Sequence, residues 1–346
     1  MNRLLLAVIF LPALLLAACE TASEPLPASP TTEPTASATA TALPTPTVTS
    51  RAGINMRQLA YAGADMELWL VNADGSGRRL LTRECPSVSL AWAPDGDMIA
   101  CTYFSIAVFD LQGRVVWGTE DTTVWSAVWS PDGQRLVYQA GDESLRIVDL
   151  ASQSDELLHV KALPLEWPRE DRLLVGLNPI QGQLFQTWEA NWLNPETGAL
   201  DRVPRLDNVT IWPLPGGERA ILLGSDGLAM FDIETSEETT IAALNLQFPT
   251  EGLPPYAISV SANGELVYAA DASSQPTVIY RVVIDSGEIR EIGTVPGVLL
   301  NISPEGIVAY LAYGGIPETL HLANLTTGQT IEVGLAQSHL AWRPIP

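Results

Sequence analysis

Lysine is nearly absent from this sequence of 346 residues, with Lys161 as its single example, and Lys and Arg together number 18 against 40 Asp and Glu. The formal net charge of −22 repels phosphate backbones and anionic headgroups, which excludes a nucleic-acid partner and disfavours electrostatic membrane binding. Solubility is one reading of such a charge, and a cation or basic partner is the sharper one. Histidine is scarce as well: His159, His321 and His339 fall in different parts of the chain with no partner two or four residues away, so a His-rich metal site is not expected. No G-x-S-x-G, H-E-x-x-H, P-loop, G-x-G-x-x-G, C-x-x-C or Asp-box motif occurs, and no catalytic residue stands out. Asn72 to Gly77 resembles the opening of a calcium loop, but its twelfth position is Arg83 instead of a bidentate Glu, so a β-turn is expected. Helical periodicity is missing throughout.

What is present begins with an address. Arg3 precedes an apolar run from Leu4 to Leu16 that is too short to span a bilayer, and the run ends Leu16-Ala17-Ala18-Cys19. This ending resembles the bacterial lipobox, which implies that residues 1–18 are a lipoprotein signal peptide and that Cys19 is lipidated. The chain is then exported and anchored to the cell membrane or outer membrane through that lipid alone, facing the periplasm or exterior. Glu20 after the Cys resembles a lipoprotein that is not retained at the inner membrane. Thr21 to Ser50 is almost wholly Thr, Ala, Ser, Pro and Glu and cannot bury enough to fold, so residues 19–55 read as a disordered stalk. At about 3.1 Å per residue it reaches on the order of 90 Å when extended.

From Met56 the sequence repeats itself. "SLAWAPDGDMIACTY" from Ser89 and "SAVWSPDGQRLVYQA" from Ser126 are the clearest copies of a strand, a Pro-Asp-Gly turn and a second strand. Weaker copies start at Leu165, Thr210, Ala257 and Leu300, and the anchor residues are Trp92, Trp129, Trp167, Trp212, Val260, Ile302 and Trp342. Their spacings are 37, 38, 45, 48, 42 and 40 residues. A second marker, a strand ending in a polar turn, interleaves with them at Asn72, Asp110, Asp149, Asn194, Asp232, Asp285 and Asn324. Each unit reads as four short strands joined by turn residues, the signature of a propeller blade.

The first unit starts at "MRQLAYAG" without its own first strand, and the chain's last segment, "SHLAWRPIP", is a first strand with nothing after it. The C-terminal strand therefore completes the first blade and removes exposed sheet edges. The fold class is all-β: a β-propeller over residues 56–346, of about seven four-stranded blades, with six or eight as the alternatives. "LWLVNADGSGRRLLT" followed by "AWAPDG" resembles the TolB-type, WD-repeat-like bacterial propellers. The α/β domain that precedes the propeller in that family, and the α/β-hydrolase domain that related peptidases append, find no counterpart in these residues.

Once Cys19 is assigned to the lipid, Cys85 and Cys101 remain. Cys101 falls in a hairpin strand opposite Leu90, with Cys85 several residues beyond that rung, so a bridge requires the chain to fold back. Two buried thiols are the expectation and a disulfide the alternative.

Two groups of site residues follow. The resemblance places the turns between first and second strands around one mouth of the central channel, where Asp95, Asp97, Asp132, Glu170, Asp171, Glu218, Glu265 and Glu305 form an acidic ring. Such a ring focuses potential on a cation, Ca2+ included, or on a basic tail, although turn chemistry alone favours Asp there. At the opposite mouth the segments 178–188 and 245–256 break the repeat and bring Phe185, Trp188, Phe248 and Tyr256, with Trp125 on the same side. Aromatics around a funnel suit an envelope protein, peptide or glycan. The expected function is a monomeric, non-catalytic binding or scaffold module; the alternatives are a propeller hydrolase or lyase acting on polysaccharide, and a calcium-dependent adhesin.

Overall fold

The computed structural model describes residues 57–344 except 64–66, 86–88, 103–104, 120–123, 125, 178–187, 208, 225–226, 244–257, 272–275, 313–317 and 337–339. The chain divides into two units, Met1–Ala52 and Gly53–Pro346, and all described residues belong to the second. Cys19 and the stalk through Arg51 lie outside the described residues.

Twenty-eight strands form seven antiparallel four-stranded sheets, and a 3-10 turn, Pro204–Leu206, is the one helical element among the described residues. The sheets are arranged as the blades of a ring. Blade 1 is built from Leu340–Trp342, Gln58–Ala62, Leu68–Asn72 and Arg79–Thr82, so the last strand of the chain pairs with the first, Trp342 opposite Leu59. The inner strands of blades 2 to 7 are Ser89–Trp92, Ala127–Trp129, Leu163–Arg169, Ile211–Pro213, Ile258–Val260 and Gly297–Ile302.

The core consists of seven seams between adjacent blades, each with its own cluster of buried side chains. Alternation explains this layout. In the second strand of each blade both faces are covered by neighbouring sheets, so runs such as Leu136-Val137-Tyr138 are buried continuously, whereas the outer strand Leu200–Arg202 is exposed along its length. The anchor tryptophans staple the seams: Trp92 Nε1 donates to the Ala341 carbonyl at 3.0 Å and Trp129 Nε1 to that of Ala91 at 3.0 Å.

The repeated turn residues have a common task. Carboxylate or amide oxygens of Asp110, Asp149, Asn194, Asp232 and Asn324 accept backbone N–H groups two to four residues ahead and so close the turn between third and fourth strands. In blade 6 the corresponding position is Val283, which accepts from Gly287, and the marker Asp285 sits within the turn instead. Between first and second strands Gly96 and Gly133 hold φ of 75° and 70°, a backbone region that L side chains rarely adopt.

One expectation is overturned. Cys85 and Cys101 are joined by a disulfide, with Cα atoms 5.8 Å apart, instead of remaining two thiols. Cys101 does lie opposite Leu90, but the connection leaving blade 1 turns back so that Cys85 packs into the seam between blades 1 and 2 beside Leu68, Leu70 and Ile99.

Candidate functional site

Because the strands of every blade alternate in direction, the turns between first and second strands share one side of the ring, and Asp95, Asp97, Asp132, Glu170, Asp171, Glu218, Glu265 and Glu305 all lie there. They are spread around the ring, and arginines sit among them. Glu305 of blade 7 is 2.7 Å from Nε of Arg57, which enters blade 1 and also donates to the Arg343 carbonyl at 2.7 Å. Burial pulls the Arg57 guanidinium's pKa down, and Glu305 opposes that pull. Arg343 in turn reaches Asp97 of blade 2 at 3.2 Å while lying 5.8 Å over the Trp92 ring. Arg135 of blade 3 pairs with Glu170 of blade 4 and lies 5.2 Å over Trp167. Arg169 contacts Asp171 at 3.3 Å and Glu234 of blade 5 at 2.7 Å.

The other acids of this rim serve their own turns. Asp95 accepts the Asp97 N–H at 2.9 Å, and Glu265 accepts from the Asn263 amide at 2.6 Å. Burial pushes the Asp132 carboxyl up, but hydrogen bonds from the Ser130 hydroxyl and the Gln134 N–H outweigh it and hold the group below the usual carboxylate range. Glu218 is exposed on its turn. The rim therefore alternates charge across blade seams. Among the described residues no group of three or more His, Cys, Asp or Glu is placed to hold a metal ion.

On the opposite side Trp188 enters the second blade-4 hairpin, half-buried, against Gly176; a Cβ on that glycine would come within 2.8 Å of Trp188, so the close approach needs glycine. Trp125, Phe185, Phe248 and Tyr256 lie outside the described residues.

The inner strands carry a residue that the repeat pattern points to only once the register is known. Ala91, Val128, Glu166, Ile211, Ser259, Asn301 and Ala341 occupy one position, each the residue before the seam anchor. Glu166 is the sole carboxylate of that ring. It sits between two register shifts in its strand and is half-buried. Burial pushes its pKa up to about 7 against a weaker opposing hydrogen bond from the Trp167 N–H. The signal was in the sequence as "LEWPRED", where the other copies place an uncharged residue (Ala, Val, Ile, Ser or Asn) before the anchor.

The family model of the anaphase-promoting complex subunit 4 WD40 domain matches residues 90–167, two blades of the seven. A functionally unknown protein from Desulfotomaculum acetoxidans superposes with a TM-score of 0.57 at 15% identity, covering 84% of this chain and 100% of that one. The likeness shows the fold alone, a β-propeller of seven blades. An oligogalacturonate lyase in complex with manganese gives 0.52 at 12% identity over 81% of this chain and 86% of the other. TolB from Acinetobacter baumannii gives 0.47 at 16% identity, over 83% and 67%. No curated protein matches by sequence. Identities this low carry architecture and not chemistry, since one blade design serves many roles.

Proposed function

We propose that the propeller is a non-catalytic binding or scaffold module of the cell envelope, tethered through lipidated Cys19 and presenting its loop-bearing face to a protein, peptide or glycan. The observation that supports this most is the pairing of the turn-side acids with arginines of neighbouring blades. Glu305, Asp97 and Glu170 are each held by a cation from an adjacent blade, so that rim works as a frame and not as a convergent site. Binding then falls to the other face, where segments 178–188 and 245–256 interrupt the repeat.

A second reading has one observation in its favour. Glu166, with its carboxyl near pH 7 in the inner ring, has the acidity that a general acid needs. A polysaccharide hydrolase or lyase built on it requires a partner group from the loop-bearing face.

Affinity capture on cross-linked membranes of the source organism, with residues 52–346 as bait, separates the two. The binding reading expects one enriched envelope protein that is lost on Phe185→Ala or Phe248→Ala, or saturable binding on a glycan array without product formation. Release of shortened or unsaturated oligosaccharide, abolished by Glu166→Gln, overturns it in favour of the enzyme.

A further inference from the structure

Blade 4 ends early. Its outer strand, Leu200–Arg202, has three residues where the outer strand of blade 3 has eight and those of blades 6 and 7 have seven each. The chain then makes the 3-10 turn Pro204–Leu206 and crosses to blade 5. A strand that short cannot cover the facing sheet, and a cavity of about 320 Å3 opens between this crossing and blade 5. Val209, Leu222, Leu228 and Ala229 make its aliphatic floor, and Arg205, Asp207 and Glu238 stand at its rim.

The rim charges differ in how firmly they are held. Asp207 receives both Arg202 guanidinium nitrogens at 2.6 Å and the Ala190 N–H at 2.8 Å. The Arg202 bonds are the main reason its carboxyl lies below the usual range, and the group is a fixed anion already satisfied. Arg205, by contrast, reaches across to Glu238 with its side chain 62% exposed and that of Glu238 23% exposed. An ion pair that open to water contributes little and parts readily. A ligand that bears both charges offers Arg205 a carboxylate and Glu238 an ammonium in exchange for this pair.

We propose that this cavity binds a small zwitterion with an aliphatic body, of which a free dipeptide is the representative. Its carboxylate takes Arg205, its ammonium takes Glu238, and its side chains lie on the floor formed by Leu222 and Leu228. The volume lies at the small end of ligand sites, roughly 300–1,000 Å3, and suits a ligand of that size. The crossing that lines the site lies on the same side of the ring as Trp188, but the proposed contacts do not depend on what the rest of that face holds.

Calorimetric titration of the full chain with L-leucyl-L-leucine tests this, with N-acetyl-L-leucyl-L-leucine amide as a body of the same shape lacking both charges. Saturable binding of the free dipeptide with a Kd of about 0.1–1 mM is expected, with the capped form at least about tenfold weaker. Glu238→Gln and Arg205→Gln should each weaken the free dipeptide by about tenfold. Thr240→Trp, which fills the cavity, should remove binding altogether. Absence of saturable binding, equal binding of the capped dipeptide, or unchanged binding in Glu238→Gln overturns the proposal. Glu238→Gln removes the charge while keeping the side chain's size, so it stays informative even where the larger Trp substitution disturbs the blade.

Discussion

Trp92 donates its indole N–H to the carbonyl of Ala341 at 3.0 Å, which ties blade 2 to the strand that closes blade 1. The bond spans almost the whole propeller sequence, and Trp129 repeats it one blade further on, to Ala91. Replacing Trp92 by Phe keeps a ring in the seam and removes only the donor, leaving the Ala341 carbonyl short of one partner. A loss of about 1–2 kcal/mol is expected, seen as a fall of a few degrees in Tm by scanning calorimetry. An unchanged Tm would mean that the seam is held by apolar packing alone.

The Cys85 to Cys101 bridge spans 16 residues and pins the exit of blade 1 to the second strand of blade 2. A loop of about that size is worth roughly 3 kcal/mol when closed, mostly through the unfolded state. Reduction should therefore lower Tm by several degrees, and the Cys85→Ala/Cys101→Ala double variant should show the same fall with no further response to reductant. Thiol titration of the denatured, unreduced propeller should find neither cysteine. Two reactive thiols would show the bridge to be absent.

Blade number and closure were legible in the sequence because both depend on local chemistry. Each turn needs its Asx acceptor or left-handed glycine, and those residues recur at about 40-residue intervals. The disulfide was not legible, since it depends on how the connection after Thr82 folds back over Cys101, and periodicity says nothing of connections. The arginine pairs escaped for a related reason. Arg57 and Glu305 are 248 residues apart, and only the closed ring makes them neighbours. Glu166 lay in plain view, but its meaning required the register that places it in the inner ring with Ala91 and Val128.

The same contrast yields a prediction about charge. Arg57 has a side chain only 4% exposed and serves Glu305 and the Arg343 carbonyl together, while Arg114 is 77% exposed and pairs with Asp110 within its own turn. Arg57→Ala leaves a carbonyl and a carboxylate at the closing seam without their donor, at a cost of about 2–4 kcal/mol. Arg114→Ala should leave Tm where it was. Chemical denaturation of both variants measures the difference directly. Equal behaviour would show that burial at the closing seam adds nothing to this pair.

Glu166 gives stability a particular dependence on pH. Its carboxyl is raised from an ordinary value of 4.5 to about 7 in the folded chain, so between those values the folded state holds a proton that the unfolded state has released. Stability contributed by this group is thus full below pH 4.5, declines as pH rises, and is lost above about 7. Glu166→Gln keeps a neutral group of the same shape and removes the titration. The variant should match the parent at pH 4.5 and exceed it at pH 8, by up to about 3 kcal/mol. Unfolding by urea at the two pH values, parent against variant, reads the difference of differences and cancels every other titrating group. A variant that is less stable at pH 8 would mean that the ionised carboxylate has a favourable partner in the inner ring, and that the channel is tuned to hold a charge there.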